Sequence, residues 1–343
     1  MTTMDAIEAA KNALGCVLEA KKDENIVIFC DDEKMDVCQA FAVGALKLRL
    51  RTHMVKLKTE PNIFRTEIPK EIKDIFTKQN TDIFINLLRG VREETPFRIE
   101  LTKMETTGQK ARAAHCPGIT LDMLTDGALA LTTKDHRRMQ RFSKNLIQNL
   151  SQATKVEITN PHGTKLSMNV EGRPFFTDTI FDWETMKWMN MPTGEVIVAP
   201  VENSLEGKLV CDMSIGGIGP LKTHVEIIAK NGKAQNITSE DGHVLERVRD
   251  SLKTDDRANI VGEFALGINP KARFVEEFLE AEKLLGTVHV AFGNNSDMPG
   301  VKNPSKNHMD LLISKPTVRI TNRNNSTVEV LENGTFKNLN SKG

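Results

Sequence analysis

The sequence predicts an α/β fold in two parts: an N-terminal three-layer α/β domain with a mainly parallel sheet, and a β-rich α+β domain after it. Apolar strands alternate with amphipathic helices along the first part of the chain, and this alternation is typical of a parallel sheet that helices cover on both faces. Beyond residue 155 the segments become short and strand-like, with turn residues between them. A chain of 343 residues is long enough for two such domains.

The N-terminal domain is predicted over residues 1–154. Its first strand is the apolar run 26–30, which ends in the acidic turn Asp31-Asp32-Glu33. Because this turn has no glycines, backbone amides cannot come close to a pyrophosphate there, and a dinucleotide site is not predicted. The remaining elements alternate in type: helix 35–48, strand 52–57, helix 70–78, strand 82–88 and helix 133–153.

The second domain is predicted over residues 155–343. Helices are expected at 242–252 and 273–285, and a hairpin at 325–339 turns over Asn333-Gly334. The other strands are short apolar segments at 156–159, 165–170, 194–199, 208–213 and 223–229.

The composition excludes several classes of partner. Lys+Arg and Asp+Glu number 46 each, so the formal charge is zero, and neither a nucleic acid nor a membrane surface is a predicted partner. No stretch approaches the roughly 18 apolar residues of a membrane span, and the N-terminus carries acids instead of a secretion leader. The five scattered cysteines form no C-x-x-C pair, which is typical of reduced thiols. We therefore expect a cytoplasmic protein that acts on a peptide or small molecule.

Two histidines stand where metal ligands are expected. His308 and Asp310 lie two positions apart at the start of an apolar run, so on a strand both side chains point to the same face. His289 lies inside the apolar strand 287–293, where a buried imidazole must be hydrogen-bonded or bound to a metal. Taken singly, these patterns also fit a surface His and Asp pair and a satisfied core histidine.

Glu195 and Glu263 stand in apolar, glycine-flanked surroundings. A divalent cation makes the burial of such carboxylates favourable, whereas a salt bridge or a turn position is the alternative for each glutamate alone. With His289, His308 and Asp310 they are a suitable ligand set for two hydrolytic metal ions, one lowering the pKa of a shared water and the other polarising a carbonyl. The second domain is therefore predicted to be the metal-binding, catalytic domain.

Four ordered segments of the second domain carry a resemblance to a known family. They resemble the metal-site motifs of the aminopeptidase T family, the thermophilic metallo-aminopeptidases, and the resemblance runs from about Ile26 to Ile313. The segments are NMPTGEV (190–196), GEFALG (262–267), GTVHVAFG (286–293) and NHMD (307–310).

The resemblance implies a fold, an activity and a ligand set. It implies removal of an N-terminal residue from a peptide, a homodimer, and an α/β domain followed by a domain that carries two divalent ions of zinc, cobalt or manganese. The implied ligands are Glu195, Glu263, His289, His308 and Asp310. Glu263 or Glu195, whichever is less engaged as a ligand, would carry the proton to the leaving amine, and Glu263 is the predicted base.

The chain departs from the family at one ligand. Members of the family place a tyrosine in the loop after the histidine, but this chain contains no tyrosine at all. The matching segment is 294–298, with Ser296 at the aligned position. Asn295, Ser296 or Asp297 could supply an oxygen ligand instead, directly or through a water, and a weakened second metal is the alternative.

A second resemblance gives a rival function. The ring-cleaving 2,5-dihydroxypyridine dioxygenases are similar in fold, and they hold one Fe(II) by residues that match His289, His308 and Asp310. Such a facial triad leaves positions open for substrate and oxygen. Glu195 and Glu263 favour the peptidase, because an iron triad does not require them. A non-catalytic binding protein of the same fold is the third possibility.

Overall fold

The computed structural model describes residues 4–78, 80–107, 111–181, 188–301 and 303–337. The chain divides into two compact units, each discontinuous in sequence. The N-terminal unit comprises Met1–Gln140, Asp178–Thr193 and Lys271–Arg273, and the C-terminal unit comprises Arg141–Thr177, Gly194–Pro270 and Phe274–Gly343. The predicted domain boundary after residue 154 stays a prediction.

The N-terminal unit is built around a parallel sheet of five strands. The strands are β1 (Asn25–Asp31), β2 (Arg51–Leu57), β3 (Ile83–Leu87), β4 (Arg112–His115) and β8 (Trp188–Asn190). Their order across the sheet is β2-β1-β3-β4-β8, and every neighbouring pair is parallel. The helices of this unit are α1 (Ala6–Cys16), α2 (Met35–Lys47), α3 (Lys70–Lys78), α4 (Thr95–Thr106) and α5 (Leu121–Thr125).

Alternate residues of β1 pack into two different cores, one on each face of the sheet. Ile26, Ile28 and Cys30 are buried with residues of α1 and α2. Val27 and Phe29 are buried with residues of α3 and α4. Successive side chains of a strand point to opposite faces, so the apolar run at 26–30 is explained by helices on both sides. The predicted three-layer α/β domain with a parallel sheet is confirmed.

The C-terminal unit contains two antiparallel sheets. The larger has the order β14-β13-β10-β6-β5-β18-β19-β20. Its strands are β5 (Ala153–Thr159), β6 (Lys165–Asn169), β10 (Glu206–Cys211), β13 (Val225–Lys230), β14 (Lys233–Ser239), β18 (Thr317–Asn322), β19 (Thr327–Glu332) and β20 (Thr335–Phe336). The hairpin of β19 and β20 turns at Asn333-Gly334 as predicted, and residues 338–339 of that prediction lie outside the described residues.

The smaller sheet has seven strands in the order β12-β11-β17-β16-β15-β9-β7. They are β7 (Phe176–Thr177), β9 (Glu195–Val198), β11 (Ser214–Ile215), β12 (Gly219–Pro220), β15 (Val261–Gly267), β16 (Val288–Gly293) and β17 (His308–Ile313). The remaining helices are α6 (Thr133–Leu150), which continues from the N-terminal unit, α7 (Gly242–Ser251) and α8 (Phe278–Ala281). The β-rich character predicted for the second domain is therefore confirmed.

One helix prediction is wrong in its length. The helix expected over 273–285 is limited to the short α8, Phe278–Ala281. After it the backbone tightens, because Lys283 N–H donates to the carbonyl of Glu280 at 3.1 Å and Leu284 N–H donates to that of Ala281 at 3.2 Å, both across three residues instead of four. Two charged residues of this stretch, Glu282 and Lys283, are buried inside the unit.

The described helices include none that combines the length and the apolar composition needed to cross a membrane.

Candidate metal centre

Four neighbouring strands of the seven-stranded sheet bring the predicted ligands together. Glu195 begins β9, Glu263 lies in β15, His289 in β16, and His308 and Asp310 in β17. These strands are adjacent in the order β17-β16-β15-β9. Residues directly opposite each other on paired strands share a face of the sheet. The five side chains therefore meet on one face, although the chain segments that carry them are far apart in sequence.

Small residues keep this face open between the ligands. Ala291 of β16 lies opposite both Glu263 of β15 and Asp310 of β17. Ala265 lies opposite His289 in the same way. A methyl group occupies little of the surface next to a carboxylate or an imidazole, so the polar atoms of neighbouring strands can approach one another.

A β-bulge sets the position of Glu263. The register of β15 against β16 shifts between Val261 and Glu263, and a bulge of this kind re-aims the side chain that follows it. Gly262 is the extra residue. A β-carbon at Gly262 would lie 2.7 Å from the carbonyl oxygen of Gly293, so only glycine allows the two backbones to approach this closely.

Glu263 lies between the two imidazoles. Its Oε1 is 3.1 Å from His289 Nε2, and its Oε2 is 3.5 Å from His308 Nε2. His308 Nε2 is also 3.3 Å from Asp310 Oδ1, and His289 Nε2 is 3.5 Å from Glu195 Oε2. The contacts form two adjoining groups that share Glu263: the Glu195 group, with Glu263 and His289, and the Asp310 group, with Glu263 and His308. Within each group the ligand atoms lie within 4.8 Å of one another.

The centre is mostly buried, and the pKa values of its two histidines are raised. His289 is 1% exposed, whereas the His308 side chain is 38% exposed. Burial lowers the pKa of His289, but the hydrogen bond with Glu263 and the charge of Glu195 outweigh it and raise that pKa to about 9. Partial burial also lowers the pKa of His308, but the charge of Asp310 and a hydrogen bond with it raise that pKa well above its usual value.

The pKa of Asp310 is shifted in the opposite direction to the pKa values of the two histidines. Burial raises the pKa of Asp310, but the charge of His308 and its hydrogen bond outweigh burial and hold that pKa at about 2. Asp310 is thus ionised, and the carboxylates of the centre raise the pKa values of the neighbouring imidazoles. Buried carboxylates and imidazoles that converge in this way are the ligand types that zinc and similar divalent ions prefer. The donor set of this chain therefore fits a divalent metal.

A backbone carbonyl group forms a hydrogen bond with Nδ1 of His308. His308 Nδ1 is 2.8 Å from the carbonyl oxygen of Asn294, and a carbonyl only accepts hydrogen bonds, so Nδ1 carries the proton and donates it. This leaves Nε2 directed at Glu263 and Asp310. Metal-binding histidines usually have such a partner on their second nitrogen, because it fixes the tautomer and the ring orientation.

Two residues of the centre were missed by the sequence analysis. Lys283 is fully buried, and its ammonium group contacts Glu195 Oε1 and lies 2.9 Å from Glu282 Oε1. Glu282 also forms a third group of ligand atoms with His289 and Asp310, and burial raises its pKa. Both residues were assigned to the predicted helix 273–285, where a charged residue is normally solvated. No pattern in the sequence marks them as buried.

The loop that corresponds to the family tyrosine is held by its own contacts. The Asn295 side chain donates to the carbonyl of Gly262 at 3.1 Å and accepts from the Asn303 N–H at 2.7 Å. Ser296 N–H donates to Asn294 Oδ1 at 3.0 Å. In the described part of the chain, Asp297 joins none of the groups of histidine and carboxylate ligand atoms. Asn295 instead connects this loop to the bulge before Glu263.

Two solved structures share the fold over almost the whole chain. The 2,5-dihydroxypyridine dioxygenase from Pseudomonas putida KT2440 superposes with a TM-score of 0.69 at 16% identity, covering 97% of this chain and 97% of that chain. Wild-type AmpT from Thermus thermophilus superposes with a TM-score of 0.67 at 16% identity, covering 96% of this chain and 98% of that chain. At this identity the likenesses show the fold alone.

The sequence family is shown by a different comparison. No curated protein matches this chain by sequence. The family model described as thermophilic metalloprotease (M29) matches residues 132–336, which is more than half of the chain and contains all the residues of the metal centre. The chain therefore belongs to the M29 family of thermophilic metalloproteases.

Proposed function

We propose that this chain is a metal-dependent aminopeptidase, which removes the N-terminal residue of a peptide. The observation that carries the proposal is the pair of adjoining ligand groups on one sheet face, joined by Glu263. Membership of a metalloprotease family and the fold shared with AmpT support it.

Each ligand group would hold one divalent ion of zinc, cobalt or manganese. Glu195, Glu263 and His289 supply the ligands of the first, and Glu263, His308 and Asp310 those of the second. Ions bound there would lower the pKa of a water and polarise the carbonyl of the peptide bond. Glu263 offers one oxygen to each group, because its Oε1 faces His289 and its Oε2 faces His308.

Glu195 and Glu263, the two candidates for carrying the proton, differ in their contacts. Both oxygens of Glu263 are engaged with imidazoles, whereas Glu195 has Oε1 on the Lys283 ammonium and only Oε2 directed at His289. Glu263 thus faces two imidazoles and Glu195 faces one. The glutamate that is less engaged as a ligand when metal is bound would take the proton of the attacking water and deliver it to the leaving amine, and Glu263 stays the predicted carrier.

The dioxygenase remains the second candidate, and one observation weakens it. His289, His308 and Asp310 would suffice for a facial triad. Glu263 nevertheless contacts both imidazoles, at 3.1 and 3.5 Å, and Glu195 joins it in a separate group. A mononuclear iron site gives these two buried carboxylates no role. Homodimer formation, a cytoplasmic location and the absence of nucleic-acid or membrane partners stay predictions.

A panel of aminoacyl coumarin amides tests the activity. Metal-stripped protein is resupplied with Zn²⁺, Co²⁺, Mn²⁺ or Fe²⁺, and each amide is paired with its N-acetylated form. We expect metal-restored turnover of the free amines alone, because an aminopeptidase requires the α-amino group. His289→Ala should reduce turnover by at least about 100-fold, while His243→Ala, at an exposed position of α7, should not.

The other outcomes separate the alternatives. Equal cleavage of the acetylated amides would indicate an endopeptidase. Fe²⁺-dependent loss of 2,5-dihydroxypyridine absorbance, without turnover of any amide, would favour the dioxygenase. Folded protein that takes up metal but turns over none of these substrates would contradict both enzymatic assignments.

A further inference from the structure

Lys283 places an ammonium group inside the metal centre. A lysine is almost never fully buried unless its charge is paired, and Lys283 is 0% exposed. Its ammonium group contacts Glu195 Oε1 and lies 2.9 Å from Glu282 Oε1. The backbone holds it there, because the carbonyl of Lys283 accepts a hydrogen bond from Asn269 N–H at 2.9 Å.

This ammonium group affects the two ligand groups differently. In the Glu195 group, one oxygen of a carboxylate is already bound to a positive charge, so a divalent ion must share that carboxylate with Lys283. Two cations on one carboxylate repel each other, and the repulsion is strong where water is excluded. The ammonium also reduces the negative charge that would attract the ion.

In the described ranges no ammonium group is in ion-pair contact with the Asp310 group, and the Lys283 charge acts on Asp310 only from a greater distance. The ion pairs of Glu263 and Asp310 there are all with imidazoles, which are a metal-ligand type themselves. His308 is in addition held by Asn294 with Nε2 directed at both carboxylates. This group therefore keeps its full ligand set for a cation.

We propose that Lys283 makes the two metal positions unequal: the Asp310 group holds one divalent ion tightly, and the Lys283 ammonium competes with a second ion for Glu195. The inference rests on the proposed function only in requiring a metal centre. It deepens that function by stating that one ion is resident and the other is exchangeable.

Metal stoichiometry tests this without reference to activity. Stripped protein is titrated with Co²⁺ by calorimetry, and retained metal is counted by mass spectrometry after gel filtration. For the wild type we expect one tight equivalent and a second that binds about 100-fold more weakly or less. Lys283→Met removes the charge at similar size, and its second equivalent should tighten by about 10- to 100-fold.

Two further variants complete the design. Lys230→Met, at an exposed position of β13, is the matched control and should bind like the wild type. Lys283→Gln keeps an amide donor for Glu195 while removing the charge, so it serves if Lys283→Met does not fold. Two equally tight equivalents in the wild type would overturn the proposal with no variant needed.

The remaining outcomes are equally decisive. An unchanged second equivalent in a folded, charge-removing variant of Lys283 would also overturn the proposal. Unequal sites in a protein that cleaves no peptide would instead uphold it, while the aminopeptidase assignment would fail. Folded protein that binds no metal would reject both.

Discussion

Gly262→Ala should damage the metal centre although it changes no ligand. A β-carbon at this position would lie 2.7 Å from the carbonyl oxygen of Gly293 and 3.5 Å from that of Asn294. Ordinary carbon to oxygen contacts are about 3.3 Å or longer, and both oxygens belong to the backbone, so neither can rotate away. Strands β15 and β16 must therefore separate locally. Overpacking of this kind costs about 1 to 3 kcal/mol of unfolding free energy.

The same displacement should weaken metal binding, because Glu263 is the next residue and contacts both imidazoles. A shift in the residues that orient a ligand typically costs about 10- to 100-fold in metal affinity. The assays are urea unfolding of the metal-free protein and Zn²⁺ titration. The matched control is Gly242→Ala, where a β-carbon meets no heavy atom within 4 Å. The reasoning is refuted if the two variants agree within about 0.5 kcal/mol and bind Zn²⁺ equally well.

Three further predictions concern charge. Glu263→Gln should lower both the metal content and the turnover, because Glu263 belongs to both ligand groups, whereas Glu195→Gln should keep the tight metal; equal metal loss in both variants would contradict the placement of Glu195 in the first group alone. Because the pKa of His289 is raised to about 9 from about 6.5 when unfolded, its stabilisation of the metal-free protein is complete below about pH 6.5. It is lost as the pH rises to 9, so His289 should contribute a fall of about 3 kcal/mol in the free energy of unfolding across that window in urea titrations. His289→Gln should remove this contribution and leave a smaller slope, because the pKa of His308 is raised as well; an unchanged slope would contradict the prediction. Asp31→Asn should cost about 3 to 5 kcal/mol in the same assay, since Arg65 lies 2.9 Å from the buried Asp31 carboxylate; a loss below about 1 kcal/mol would show that the pair is dispensable.

The sequence was sufficient to predict much of the candidate site, because the relevant signals are local. His308 and Asp310 alternate along one strand, so their convergence follows from strand geometry, and their Nε2 and Oδ1 atoms are 3.3 Å apart. His289 stands out as a polar residue in an apolar run, and it is 1% exposed. Local signals of this kind did not predict the ion pair of Asp31. The acidic turn argued against a phosphate site, but nothing local indicated that Asp31 would bind Arg65.

The sequence did not identify Glu282 and Lys283 as residues of the centre, and the reason is the same for both. Glu282 and Lys283 lie in a stretch that was predicted to be a helix, and charged residues are almost never fully buried unless they are paired. The backbone instead leaves the helical path after Ala281, and Asn269 pairs with the carbonyl of Lys283. That pairing is a long-range contact, so no periodicity in the sequence contains it. Tertiary contacts therefore determined the backbone of this segment, although its local helix propensity predicted a longer helix.

We expect a metal ion that binds to this centre to replace protons on the histidines, because the ligand side chains already lie close together without the ion. Before a divalent ion binds, the carboxyl groups of the centre are paired with the Lys283 ammonium and with His289 and His308, whose pKa values are raised. An imidazole must release its proton to become a ligand, so the ion replaces those protons as the source of positive charge. Lys283 lies beside Glu195 and not beside the Asp310 group, so it competes with an ion at one position only. The location of this ammonium group therefore separates the two metal positions.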